Sequence, residues 1–196
     1  MRCLIVVAHP LPDSFTHAAA ARAEAALRAA GHHVDVIDLY ATGYRAAMSA
    51  DERHAYHGDQ PVLDPQVAEH IALLQAATAL VFVYPTWWSS LPAILKGWLE
   101  RTMVPGVGFR FDDSGKVRPA LTHVRHIVGI STYGSRRLEV ALVNDNGRRT
   151  ISRALRLSTG VRTRCTWLAC YGVDASTADE RSAFLDRIER TLAAWR

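Results

Sequence analysis

Three short stretches concentrate residues able to hold a ligand. The first, "AHPLPDSFTH" over residues 8–17, sets His9, Asp13, Ser14 and Thr16 just ahead of an alanine-rich segment with helical character. Unpaired N–H groups and the positive end of a helix dipole favour an anion at such a start. Ser14 and Thr16 add hydroxyl donors and His9 an N–H or a charge, a set that suits a phosphate. The stretch has no glycine-rich phosphate cradle. Ser14 serving only as a helix cap, and His9 as a satisfied buried histidine, are equally ordinary fates.

The second stretch, "PTWWSS" over residues 85–90, follows an apolar run. Pro85 stiffens the exit and removes a donor. Thr86 to Ser89 then offer backbone N–H groups, while Trp87 and Trp88 offer flat apolar surface. A planar heteroaromatic ring fits that combination better than a sugar or a peptide. Packing of both indoles under neighbouring loops, or against a second copy, is the competing explanation. The third stretch, "ISTYGSRR" over residues 130–137, supplies Ser131, Thr132 and Gly134, with Arg136 and Arg137 beyond. Small and hydroxyl residues permit close backbone approach. Two guanidinium groups suit a dinucleotide phosphate, although a solvated arginine pair is the commoner fate.

These stretches need strands and helices to bring them together. "CLIVVA" and "ALVFVY" are short apolar runs expected as buried strands, and "HVDVIDL" alternates like an edge strand. "VRHIVGIS" and "RCTWLAC" complete five strands. Between them lie the helices "SFTHAAAARAEAALRAAG", with Ser14 as N-cap and Gly31 at its end, "DPQVAEHIALLQAA", "PAILKGWLERT" and "GRRTISRALRLS". The last segment, "TADERSAFLDRIERTLAAWR", puts Phe184, Leu185, Ile188, Leu192 and Trp195 on one face. Such alternation predicts an α/β, flavodoxin-like three-layer sandwich of residues 1–196: a parallel sheet of order 2-1-3-4-5 with helices on both faces. Ligands bind beyond the carboxyl ends of such strands, where the order reverses, and that is where the three stretches fall.

Composition narrows the partners. A chain of 196 residues suits one domain with its own core. The net charge of +4 is modest, and the scattered arginines form no basic block with interleaved aromatics, so nucleic acid is not expected. No apolar run approaches the roughly 18 residues of a membrane span. Cys3, Cys165 and Cys170 all sit in strand-like segments and are expected as buried thiols in a reducing cytoplasm. His54, His57 and His70 lie in a polar region without metal-ligand spacing and are expected at the surface, and His32 and His33 as structural. Arg148, Arg149, Arg153 and Arg156 read as a solvated helix face, and Trp98 as core or dimer contact. The G-x-G in "PGVGFR" lacks a strand-to-helix setting and is rejected as a dinucleotide fingerprint.

The segment "PTWWSSLPAILKGWLERTMVPGVGFRF" resembles the flavodoxin-like NAD(P)H:quinone oxidoreductases, a group that includes regulatory oxidoreductases of potassium-efflux systems. "AHPLPDSFTHAAAARAEAALRAAGHHVDVIDLYA" is similar to the same family, so two distant segments match in order and cover most of residues 1–134. The resemblance implies a flavin, FMN or alternatively FAD. His9, Ser14, Phe15 and Thr16 would hold its phosphate end, and Pro85, Thr86, Trp87 and Trp88 would lie along its ring. Ser131, Thr132, Tyr133 and Gly134 would face the pyrimidine edge. Phe109 and Phe111, with Trp88 and Tyr133, would border the substrate pocket, the two phenylalanines across a homodimer interface.

Two departures stand out. Tyr133 and Gly134 occupy the place of the family's usual glycine pair, and "SRRLEVALVND" holds neither the Tyr nor the His of a charge relay, so no catalytic side chain is assigned. The implied activity is ping-pong hydride transfer from NADPH or NADH through the flavin to a quinone-like acceptor. Arg136 and Arg137 are candidates for the NADPH phosphate. A flavin-binding redox sensor beside a transporter and a flavodoxin-type electron carrier are the alternatives. Carriers of that type are usually acidic, and this chain is basic.

Overall fold

The computed structural model describes residues 1–195. Five parallel strands form the central sheet: β1 (Arg2–Val7), β2 (His33–Asp38), β3 (Ala79–Pro85), β6 (His126–Tyr133) and β7 (Arg164–Tyr171). Their order is β2-β1-β3-β6-β7, which is the expected 2-1-3-4-5 arrangement of sheet strands. Between β3 and β6 the chain adds a two-stranded antiparallel hairpin, β4 (Phe109–Phe111) and β5 (Val117–Pro119).

Alternation along each strand sends its side chains to two cores. Cys3, Ile5 and Val7 of β1 face helices α1 (Phe15–Ala29) and α8 (Ala178–Ala193), packing with Ala23, Leu27, Phe184, Ile188 and Leu192. Leu4 and Val6 face the opposite layer, with α3 (Pro65–Ala76) and α4 (Ala93–Thr102), where Leu74, Leu95 and Trp98 are buried. Every residue of β3 is buried, as a central strand covered on both faces requires. Ser14 caps α1 as expected. At the other end Gly31 takes φ 81°, and the N–H groups of Gly31 and His32 return to the carbonyls of Arg28 and Leu27. That is the Schellman closure.

Several expectations need correction. Part of the polar region around His54 is a short helix, α2 (Ala50–Ala55), between β2 and α3, closed by a capping box of Ser49 and Glu52. The basic segment expected as one helix is helical from Asn146 to Thr159 but interrupted: α6 (Asn146–Arg149), a π-helical turn over Thr150–Ala154 and α7 (Arg156–Thr159). A further short helix, α5 (Arg137–Leu142), precedes it. Cys165 is exposed, because β7 is an outer strand whose first two residues lie open to solvent. His70 is buried: with Val67, Ile71 and Leu74 it shares the core face of α3. Trp98 donates to its Nδ1 across 3.3 Å and Tyr44 stacks on its ring. Burial pushes the His70 imidazole below its ordinary pKa. His54 and His57 are exposed as expected, and Trp98 is core.

Candidate functional site

The carboxyl ends of β1, β3 and β6 open into a cleft of about 870 Å³. His9, Ser14, Phe15 and Thr16 form one wall of it, and Pro85, Thr86, Trp87 and Trp88 another. Thr132, Tyr133 and Gly134 add the third. All three stretches singled out by their chemistry therefore meet, as the strand-order rule requires.

The first stretch prepares an anion site. Ser14 Oγ accepts the His17 N–H at 3.3 Å. The N–H groups of Phe15 and Thr16 precede any intrahelical acceptor and have no partner among the described residues. Thr16 is only 3% exposed, yet its hydroxyl makes no hydrogen bond among the described residues. His9 Nδ1 lies 3.1 Å from the Leu11 N and 3.3 Å from the Leu11 carbonyl oxygen, so it has a partner as acceptor or as donor. The His9 ring lies 5.9 Å from that of Trp87.

The second stretch is a tight turn. Trp87 and Ser90 exchange backbone hydrogen bonds of 3.2 and 3.0 Å, and the two residues between them, Trp88 and Ser89, have φ of 47° and 59°. Consecutive left-handed residues mark a type I′ turn, which usually takes Asn-Gly. The N–H groups of Trp88 and Ser89 have no acceptor among the described residues. Trp87 is partly exposed and Trp88 fully so.

A second left-handed pair, Asn144 and Asp145, supports this turn from outside. The Asn146 N–H donates to Ser89 O at 3.0 Å. At Gly147 an added Cβ would stand 3.1 Å from the Ser90 carbonyl carbon, so the backbones touch without room for a side chain. These two pairs are the only non-glycine residues with positive φ among those described. Left-handed geometry costs about 1–2 kcal/mol per such residue, and such strain gathers at functional sites. Ser89→Gly is therefore expected to stabilise the fold by up to about 1 kcal/mol, after glycine's own entropic cost. Urea unfolding tests this, and an unchanged or lower midpoint counts against strain in the turn.

The third stretch is mostly strand, since β6 runs through Tyr133. The Tyr133 hydroxyl donates to Asp145 Oδ2 at 3.0 Å, and its ring stacks on Tyr171. Burial first, and then the Asp145 charge, push its pKa far up, so it stays a neutral donor. An added Cβ at Gly134 would come 2.7 Å from Asp174 Oδ2, the tip of an exposed side chain that can turn aside.

One site expectation changes, at Ser131, and two further pairs stand outside the cleft of this chain. Ser131 is fully buried and does not line the cleft; its Oγ lies 2.8 Å from Thr86 Oγ1 and steadies that residue from below. Depth along β6 decides this: Ser131 lies inside the sheet beside Thr86, while Thr132 and Tyr133, at the strand's carboxyl end, reach the cleft. Phe109 and Phe111 make an edge-to-face pair on the β4–β5 hairpin and line no part of the cleft. The chain reaches that hairpin only after α4, whose ten residues span about 15 Å. Arg136 and Arg137 are exposed beside the cleft and do not line it.

The cleft also uses residues the sequence did not single out: Ser135, Glu139, Val140, Val143, Val173 and Asp174. Glu139 Oε2 accepts the Arg136 N–H at 2.8 Å and so closes the start of α5. Among the described residues no three His, Cys, Asp or Glu side chains gather as a metal site, and no helix is long and apolar enough to cross a membrane.

The Flavodoxin_2 family, characterised by a flavodoxin-like fold, matches residues 1–157. The chain belongs to this family. Among curated proteins it is similar to the NAD(P)H dehydrogenase (quinone) 1 of Rattus norvegicus, 30% identical over 149 residues, covering 68% of this chain and 54% of the relative. The chain spans about half the length of the curated relatives it matches first. Among solved structures, Smu.1420 from Streptococcus mutans UA159 superposes with a TM-score of 0.86 at 23% identity, covering 100% of both chains. The NAD(P)H:quinone oxidoreductase from Methanothermobacter marburgensis superposes with a TM-score of 0.79 at 25% identity, covering 98% of this chain and 94% of that one.

Proposed function

We propose that this chain is a flavin-dependent oxidoreductase that takes electrons from NADPH or NADH and delivers them as a pair to a quinone or similar electrophile. The observation that carries the reading is the pairing, in one cleft, of an anion-ready helix start with an indole wall and free turn N–H groups. The residues fit a flavin mononucleotide. The Phe15 and Thr16 N–H groups and the unpaired Thr16 hydroxyl supply donors for its phosphate. Trp87 offers a flat face, and the free Trp88 and Ser89 N–H groups offer donors to a polar ring edge. Tyr133, held neutral against Asp145, and Thr132 form the facing wall. The bound flavin supplies the two-electron chemistry, hydride passing through its N5; the protein positions and tunes it.

FMN is favoured over FAD because the cleft presents one anion end and the sequence has no evident adenine segment. A homodimer is also part of the reading. Trp88, Leu138 and Leu142 leave an exposed apolar rim at the cleft, and Phe109 and Phe111 would enter from the partner. Its free thiols suit a reducing cytoplasm.

The test begins with colour: the purified chain is expected to be yellow, and the flavin released on denaturation should have the mass of FMN. Menadione should then drive steady NADPH oxidation, with parallel double-reciprocal lines for a ping-pong order. A colourless protein that remains inactive with either FMN or FAD overturns the reading. Replacing both Arg136 and Arg137 with Ala should lower the preference for NADPH over NADH; an unchanged preference removes them from that role.

A further inference from the structure

Ser14 belongs to two openings at once. It lines the cleft, and it also lines a groove of about 450 Å³ shared with His17 and Asp38. Ser14 Oγ lies 3.0 Å from His17 Nδ1, and His17 Nε2 lies 2.8 Å from Asp38 Oδ2. The other Asp38 oxygen accepts the N–H groups of Tyr40 and Ala41, both at 3.0 Å, which fixes the carboxylate. An ionised carboxylate only accepts, so Nε2 carries a hydrogen.

The hydrogen count at Ser14 then depends on the ring. With one ring hydrogen, Nδ1 is an acceptor and the Ser14 O–H must point at it. The serine oxygen already accepts the His17 N–H, and it has only a lone pair to show an anion. With two ring hydrogens, Nδ1–H donates to Ser14 Oγ, and the serine hydrogen is released toward the cleft. The same change places a positive charge beside the helix start. A second observation points to an anion there independently: Thr16 is 3% exposed and lines the cleft, and its hydroxyl has no partner among the described residues.

We propose that His17, oriented by Asp38, is a positioning residue for the phosphate of a phosphorylated flavin, and that capture of that phosphate takes up one proton on the His17 ring. This rests on the flavin reading above. The proton comes from solvent, and the doubly protonated ring is left between Asp38 and the bound phosphate, with a negative group on either side. Other charged or titratable groups facing the ring are His9, edge-on at 6.2 Å, and Asp13 and Glu24, which line the same groove. Among the described residues none of the three makes an ion pair with His17.

The experiment compares FMN with riboflavin, which has the same ring and no phosphate, by quenching of flavin fluorescence on the full chain between pH 7 and 9. A phosphomonoester loses its second proton near pH ~6, so FMN stays a dianion across this range. The ratio of FMN to riboflavin affinity is expected to fall as pH rises, by up to about tenfold per pH unit for one linked proton. Calorimetry in two buffers of different ionisation enthalpy should report proton uptake with FMN and none with riboflavin. His17→Gln should flatten the ratio while leaving riboflavin affinity unchanged. Asp38→Asn, which keeps an acceptor for Tyr40 and Ala41, should weaken FMN alone. A flat ratio in the unaltered chain, or an undiminished slope in His17→Gln, overturns the proposal while leaving the flavin reading intact. Failure of both flavins to bind overturns the flavin reading together with it.

Discussion

Arg101→Leu is expected to cost about 3–5 kcal/mol of folding stability, the usual consequence of removing one partner from a buried ion pair. The Arg101 side chain, on α4, is 1% exposed. Its Nε donates to Glu52 Oε1 at 2.8 Å, and Nη2 donates to Asp64 Oδ2 at 2.6 Å. Nη1 reaches the Arg45 carbonyl, and the guanidinium lies 5.1 Å from the centre of the Tyr44 ring. One side chain thus ties α4 to α2, to the N-cap of α3 and to the loop before them. Leucine would match the apolar bulk and leave Glu52 as a buried carboxylate. Against a typical net stability of 5–15 kcal/mol, that loss is a large share. A urea midpoint within about 0.5 kcal/mol of the unaltered chain would falsify this account. Adding Glu52→Gln to Arg101→Leu should recover part of the loss.

The same cluster fixes the pH dependence. Burial alone would raise the Glu52 carboxyl, but the Ser49 N–H and Arg101 outweigh it and hold the pKa below its ordinary value. Arg101 is the main cause of the lowered Asp64 pKa. Folded values below unfolded ones mean stability that is fully present above about pH 4–4.5 and lost as pH falls through the lowered values. In Arg101→Leu, Glu52 loses its main charged partner while its burial still opposes ionisation. The gap between variant and unaltered chain is therefore expected to be wider at pH 7 than at pH 4.

Strand positions were readable because β1 and β3 are short apolar runs bounded by polar or turn residues, and their burial on both faces follows from parallel pairing. Placing the three ligand stretches at one end of the sheet followed from topology alone. What failed was the facing of single side chains. His70 looks polar in its local string, yet its spacing from Val67 and Leu74 puts it on the buried face of α3. Ser131 and Thr132 are adjacent and chemically alike, and a single step along β6 separates the residue under Thr86 from the one in the cleft. The turn at Trp88 and Ser89 was harder still. Its left-handed pair lacks the glycine that normally announces it, and it is held by Asn146, more than fifty residues later in the chain. No local pattern carries that information.

That distant support makes Asp145→Ala the second large effect. Asp145 does three things at once: it accepts from the Tyr133 hydroxyl, it caps α6 by accepting the Arg148 N–H at 3.2 Å, and it tolerates φ 36°. Alanine keeps none of these. A lost cap costs about 1 kcal/mol, an unpaired buried hydroxyl about 1–3 kcal/mol, and left-handed alanine adds further strain. Much of this damage falls on the residue preceding Asn146, whose N–H holds the Ser89 carbonyl. The Trp87–Ser90 turn should loosen, and flavin affinity should drop at least tenfold, an effect of about 1.4 kcal/mol. Asp145→Asn separates shape from charge, since asparagine retains an acceptor, a cap and tolerance of positive φ. It should bind flavin within about threefold of the unaltered chain if geometry is what Asp145 supplies. Should Asp145→Ala bind flavin as tightly as the unaltered chain, the turn stands without this support; should Asp145→Asn fail as badly as alanine, the carboxylate charge is what the cleft requires.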